Sequence, residues 1–231
     1  MKTLQRLLII ALCLLIPSSA GSWGVVRMSG GVASAGGVTC TDSDNFDTAD
    51  GTNMAGITGW SGSTNNNNIE IDTAQYHAGT ASFMVIGDDV SKGERIITER
   101  TTGKFTVSFW HRLSAEPGSI RLVCVIGIND GASSFTGLTI RDANDIYRNG
   151  DTDTTANATI TEWVKIEIEC NLTADTFSVW YGGSKIVTDA AATNNGLNPD
   201  RLTFEAWTSY DPSPATQWYD DLCVYTGTRV E

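Results

Sequence analysis

The side chains best able to do chemistry in this chain are carboxylates and indoles. Twenty-seven Asp and Glu stand against 15 Lys and Arg, a formal net charge of −12, with seven Trp and only two histidines. Glycoside hydrolysis needs two carboxylates across the scissile bond, about 5–5.5 Å apart for retention. β-Elimination from a uronate needs a base near the C5 proton and a cation against the acid group. The candidate bases are His77 and His111, and His111 shares the inward parity of Phe109, which reads as a satisfied core or edge histidine. No Gly-x-Ser-x-Gly elbow, phosphate-binding loop or zinc signature is present. The opening Asp42-Ser43-Asp44-Asn45-Phe46-Asp47-Thr48-Ala49-Asp50 offers oxygens to a hard cation such as calcium, which takes about six to eight of them. It lacks the Gly and Glu of an EF-hand loop, and its other reading is a solvated acidic loop.

Short apolar or alternating runs must position these groups. They fall at 69–71, 81–87, 94–99, 104–113, 119–128, 137–141, 163–170, 175–181, 184–188, 201–207 and 218–226, separated by Gly, Asn, Asp, Ser and Pro. Many short strands without a sustained helical period predict an all-β antiparallel sandwich or barrel. The stretch 149–161, rich in Asn, Asp and Thr, reads as a loop. Alternation separates core from surface: Phe105, Val107 and Phe109 oppose Trp110 and Arg112, while Leu202, Phe204 and Ala206 oppose Glu205 and Trp207. Arg141 and Trp180 likewise oppose apolar neighbours. Indoles stack on the C–H faces of sugars, and carboxylates and guanidinium groups bond their hydroxyls. Trp110, Arg112, Arg141, Trp180, Glu205 and Trp207 are therefore a candidate sugar-binding face; the other reading packs the tryptophans under loops.

Residues 1–20 have a basic start, an apolar run and a small-residue end at Ser18-Ser19-Ala20, the pattern of a secretory signal peptide cut after Ala20. The apolar run is short of the roughly 20 residues a membrane span needs, so no membrane insertion is expected after cleavage. Removing Lys2 and Arg6 leaves 13 basic against 27 acidic residues, which repels phosphate backbones and excludes nucleic acid as the expected partner. Residues 21–42 read as a Gly/Ser-rich linker or first strand, and 43–231 as one globular domain. Four cysteines remain, Cys40, Cys124, Cys170 and Cys223, an even number without metal-ligand spacing, which favours disulfides in an exported protein. Cys124 and Cys170 both take the inward parity, so a Cys124–Cys170 bridge across the core would leave Cys40 with Cys223. The alternative is that Cys124 and Cys170 are buried thiols.

The order Asn45-Phe46-Asp47, Gly59-Trp60, Tyr76-His77-Ala78-Gly79-Thr80-Ala81-Ser82-Phe83, Phe105-Thr106-Val107-Ser108-Phe109-Trp110, Glu162-Trp163-Val164-Lys165-Ile166 and Trp218-Tyr219-Asp220-Asp221-Leu222 resembles the concanavalin A-like lectin/glucanase superfamily. It is closest to the laminin-G-like and carbohydrate-binding jelly rolls. The resemblance covers about residues 43 to 228. It implies two antiparallel sheets packed as a jelly-roll sandwich, with first and last strands side by side, in agreement with Cys40 near Cys223. It also implies a structural calcium held by Asp47, the backbone around Gly79 and Thr80, and Asp220 or Asp221. The string Glu70-Ile71-Asp72-Thr73-Ala74-Gln75 is similar to the laminarinase-type E-x-D-x-x-E strand, but Gln75 replaces the last acid.

These readings converge on a secreted, extracellular or cell-surface carbohydrate-binding or adhesive module without catalysis. A polysaccharide-cleaving hydrolase or lyase on the same fold is one alternative, and a structural surface or matrix protein is the other. Carboxylates converging from adjacent strands, such as Glu167 or Glu169 with Glu205, would mark the enzyme.

Overall fold

The computed structural model describes residues 34–35, 38–47, 52, 57–62, 69–86, 89–115, 122–141, 144–149, 152–208 and 216–230. The predicted leader and its cleavage point lie outside them. In chain order the strands are β1 (Ser34–Ala35), β2 (Val38–Thr39), β3 (Asp42–Asp44), β4 (Trp60–Gly62), β5 (Ile69–Asp72), β6 (Ser82–Ile86), β7 (Asp89–Ile96), β8 (Lys104–Leu113) and β9 (Leu122–Asp130). They continue with β10 (Ser133–Arg141), β11 (Asp145–Arg148), β12 (Thr152–Asn157), β13 (Val164–Asn171), β14 (Thr176–Tyr181), β15 (Ser184–Ala191), β16 (Arg201–Thr208) and β17 (Thr216–Thr226). Sheet one has the order β12-β11-β10-β9-β16-β7-β4, and sheet two the order β15-β14-β13-β8-β17-β6-β5, with β3 also on β17. The pairings are antiparallel, and the two sheets pack as a jelly-roll sandwich. Among the described residues no helix is long and apolar enough to cross a membrane.

Period-two alternation builds this arrangement. In β13, Val164, Ile166, Ile168 and Cys170 are buried while Lys165 and Glu169 stay partly exposed, so one face must meet another apolar face. The meeting is aromatic. Phe83, Phe109 and Tyr219 of sheet two pack on Trp60 and Phe204 of sheet one, with Trp60–Phe83 centroids 4.9 Å apart and Phe204–Tyr219 4.8 Å apart at 65°. Each such buried ring contributes roughly 1.5–3 kcal/mol. Gly93 in β7 makes room for one of them, since a Cβ there would lie 2.8 Å from Phe83 Cζ.

A polar chain crosses this core. Gln217 is fully buried, and its Nε2 donates to the Glu205 carbonyl of sheet one at 3.1 Å. That carbonyl can only accept, which turns the Gln217 Oε1 toward the Tyr219 hydroxyl at 2.7 Å and His111 Nε2 at 3.0 Å. Both of those groups must then donate, fixing His111 as the neutral Nε2–H tautomer. Burial lowers the His111 pKa to about 4, against the opposing pull of Gln217. The core reading of His111 is borne out.

β17 carries an irregularity at Asp220 and Asp221. Its first part pairs with β6 and its later part with β3, and between Asp220 and Cys223 its register against β8 slips by one residue. Asp221 takes the slip with φ of 51°. Beyond it Cys223 stands opposite Ser43 and bonds Cys40, with Cα atoms 5.4 Å apart.

Cys170 is a free, fully buried thiol, and burial pushes its pKa well above the ordinary value. The expected Cys124–Cys170 bridge is therefore absent. The reason is a bulge in β9. Leu138 pairs with Ile126 but Thr139 with Cys124, and Thr203 pairs with Gly127 but Glu205 with Cys124. The extra residue, Val125, takes Cys124 off the row of Ile126 and puts it on that of Thr139 and Glu205. The loop predicted at 149–161 also needs correction, because it contains β12. That strand, Thr-Asp-Thr-Thr-Ala-Asn, lies at the edge of sheet one with exposed positions on either side of each half-buried one, so it has no apolar stripe to announce it.

Two outcomes follow from this core. Between pH 6.5 and 4 the unfolded chain protonates at histidine while folded His111 does not, so stability falls with pH there and levels off below about 4. Chemical denaturation across that window should show wild type losing on the order of 3 kcal/mol more than His111→Gln; equal slopes would refute the buried neutral histidine. The Cys40→Ser/Cys223→Ser double variant should lose about 2–5 kcal/mol of stability, measured as the denaturation midpoint against wild type.

Candidate functional site

Three of the six residues expected to make one sugar face lie on sheet one and three on sheet two. Parity reports whether a side chain leaves the core but not which sheet carries it. Arg141 is on β10, with Glu205 and Trp207 on β16; Trp110 and Arg112 are on β8, with Trp180 on β14. They do not form one face.

On sheet one the outward side holds a trough of about 350 Å³ lined by Lys92, Gly127, Asn129, Ala132, Ser134, Thr139, Asn149, Thr193, Thr203 and Glu205, among others. β7, β9, β16 and β10 bring most of these side by side through their registers. Gly127 lies low between neighbours, and a Cβ there would strike the Thr203 hydroxyl. Asn129 Nδ2 donates to Thr203 Oγ1 at 3.0 Å. The buried Thr139 hydroxyl has no hydrogen-bond partner among the described residues. At one end Asn149 accepts from Thr136 at 3.0 Å and donates to the Ala191 carbonyl at 3.2 Å.

Charge at the trough is compensated. Lys92 Nζ lies 2.7 Å from Glu94 Oε1 and 3.5 Å from Glu205 Oε1, and Arg201 approaches Glu94 at 4.0 Å. Burial works to lower the Lys92 pKa, yet its hydrogen bond to Glu94 and the two carboxylate charges hold it above the ordinary value. One ladder row further on, Trp207 and Arg141 flank Leu122 in register. The side chain of Trp207 lies outside the described residues. Arg141 packs on the Tyr147 ring with its guanidinium carbon 3.9 Å from the centroid.

On sheet two, Arg112 donates to the Thr161 carbonyl at 3.0 Å and lies over Trp218, and Trp180 sits between Lys185 and Arg229. Trp110 stacks on His77 at 3.7 Å and 14°. Glu167 and Glu169 are occupied here by Lys165, Arg229 and Lys104, on the opposite sheet from Glu205. The expected convergence of these acids with Glu205 is not found.

Asp47 and Asp220 both reach the turn at 77–80. Asp47 Oδ1 accepts from Thr80 N at 2.7 Å and Thr80 Oγ1 at 3.0 Å; Asp220 Oδ2 accepts from His77 N at 2.8 Å and Ala78 N at 3.0 Å. Asp221 instead contacts His77 Nδ1 at 3.1 Å. Burial, aided by the Asp221 charge, pushes the Asp220 carboxyl up to about 6 against the pull of these N–H groups. A hard-oxygen donor set with excess negative charge suits calcium. Among the described residues no three His, Cys, Asp or Glu side chains converge, so such an ion would take much of its coordination from backbone carbonyls.

Lys92, Asn129, Thr139 and Thr203 were not singled out from the sequence. The predicted strand 94–99 began too late to include Lys92, and Gly93 hid its continuation. Trp163 was legible, since it shares the outward parity of Lys165.

No protein-family model matches the chain, and no curated protein does. Solved structures do. A sialidase aligns with TM-score 0.61 and 14% identity over 82% of this chain, which spans only 19% of that protein. Cellulose-induced protein Cip1 aligns with TM-score 0.60 and 21% identity over 82% of this chain and 98% of its own. The catalytic domain of a glycoside hydrolase family 131 protein from Coprinopsis cinerea aligns with TM-score 0.58 and 14% identity over 83% of this chain and 96% of its own. At these identities the likeness establishes architecture alone, and the chain has a jelly-roll β-sandwich fold.

Proposed function

We propose that this is a secreted protein that binds a polysaccharide in the sheet-one trough without cleaving it. The observation that carries the reading is the lining: hydroxyls and amides from Asn129, Ser134, Thr139, Asn149, Thr193 and Thr203, with the buried Thr139 hydroxyl unpartnered among the described residues. An unpaired buried hydroxyl costs about 1–3 kcal/mol, and a sugar hydroxyl seated there relieves it. Cip1 and the family 131 hydrolase, both covered almost entirely by the alignment, support a carbohydrate ligand in general.

Lys92 favours binding over hydrolysis. A glycosidase pair needs two carboxyl groups free to face the scissile bond, whereas Glu94 and Glu205 are both engaged by the Lys92 ammonium, at 2.7 and 3.5 Å. The Cys40–Cys223 bridge suits an oxidising, extracellular compartment.

Calcium belongs to the reading as a structural ion. Asp47, Asp220 and carbonyls around Gly79 and Thr80 would hold it, and it would offset the charge of these carboxylates.

Binding of the mature protein to soluble and insoluble polysaccharides, with reducing-end and unsaturated-product assays in parallel, tests the function. Binding without product is expected. Ala132→Trp, which fills the trough from an exposed turn position, should abolish the part of that binding made in the trough. Thr139→Val should weaken it roughly tenfold without loss of stability. Multiple turnover would establish an enzyme, and binding indifferent to both variants would remove the trough from the reading. Calcium should raise the melting temperature of wild type and not of Asp220→Asn; identical melting in calcium and chelator would dismiss the ion.

A further inference from the structure

At the edge of the sandwich, where β12 of sheet one and the segment after it meet β13, β14 and β15 of sheet two, lies a second recess of about 510 Å³, whose walls include Trp110, Trp163, Tyr181 and Ile186 and whose polar groups include Asn157 and Ser184. We propose that this recess is a separate sugar site that takes a single pyranose unit of a glycan. The inference rests on the reading that the ligand is carbohydrate, but not on the trough.

The platform is built before any ligand arrives. One face of the Trp110 indole is covered by His77 at 3.7 Å and 14°. His77 is itself held at its backbone N–H by Asp220 and at Nδ1 by Asp221. Trp163 approaches His77 edge-on at 6.0 Å, which sets the two indoles around one imidazole. On the far wall, the Tyr181 hydroxyl accepts the Thr159 N–H at 2.7 Å. Rings fixed in this way lose little entropy when a ligand stacks on them.

The polar groups suit hydroxyls rather than a charge. Lys165 lines the recess, but its ammonium is paired with Glu167 at 3.0 Å. Asn157 Nδ2 donates to Asp145 at 2.9 Å, leaving its carbonyl oxygen as an acceptor, and Ser184 is exposed. An apolar aromatic wall with hydroxyl and amide groups beside it matches the amphipathic ring of a neutral pyranose.

The test titrates the full chain with cellohexaose, laminarihexaose and an alginate hexasaccharide while following the tryptophan indole N–H signals by NMR. Trp110→Phe and Trp163→Phe assign two of the signals. At least one neutral hexasaccharide should shift both. Ser184→Trp, which fills the recess from an exposed position, should abolish those shifts, and Trp163→Ala should weaken binding roughly tenfold. The trough-filling Ala132→Trp should leave them unchanged. Shifts that persist in Ser184→Trp, or that disappear in Ala132→Trp, would overturn the second site. Binding lost only in Ala132→Trp, with both indoles silent, would reject the second site while the trough stands. Silence of every indole together with no binding by calorimetry would reject both.

Discussion

The last strand of the sandwich has to satisfy two different neighbours along one edge, and much of the molecule follows from how it does so. β17 meets β6 through residues 216–219 and β3 through residues 222–224, with β8 continuous on its other side. The left-handed residue Asp221 absorbs the mismatch. The 77–78 backbone docks on Asp220 at the changeover, and the imidazole of His77 is thereby laid on Trp110. Before the changeover Gln217 reaches through the core to sheet one, and after it Cys223 meets Cys40. Straightening that one residue would misplace each of these contacts.

Inside-or-outside was legible wherever a strand is regular. In β8, β13 and β14 the positions read as inward are buried, His111 among them, although the outward Thr106, Ser108, Glu167 and Ser178 are buried as well. Two things were not legible. A bulge leaves no compositional mark in an apolar run, so Val125 looked like any other strand residue and Cys124 was assigned to the wrong row. Sheet membership is fixed by long-range pairing, and so Trp110 and Glu205, both correctly read as leaving the core, could not be assigned to opposite sides. β12 was missed for a third reason: an edge strand whose inner face is only half-buried, here through Thr154 and Ala156, needs no run of large apolar residues.

The two outer surfaces differ in kind. Sheet one offers hydroxyls and amides over a glycine floor, with charge confined to the tight Lys92, Glu94 and Glu205 group. Sheet two offers indoles, two of them beside one imidazole. Gln217 links the two sides, since its amide fixes the Glu205 carbonyl on sheet one and its neighbour in β17, Trp218, is packed under Arg112 on the other. Each surface thus has a rigid backing that belongs to the other sheet or to its strands, which limits how far either can deform on contact with a ligand.

The bridge between Cys40 and Cys223 joins residues 183 positions apart, so both sheets, apart from the last three residues of β17, lie within a single covalent ring. Beyond those three residues, tension applied between the segments before Cys40 and after Cys223 passes through the sulfur–sulfur bond and bypasses the strands inside the ring. The load path and the surfaces proposed for binding are therefore separate. If the proposed polysaccharide held the domain, pulling on it would load the contacts to that ligand before it could unzip the strands held inside the ring.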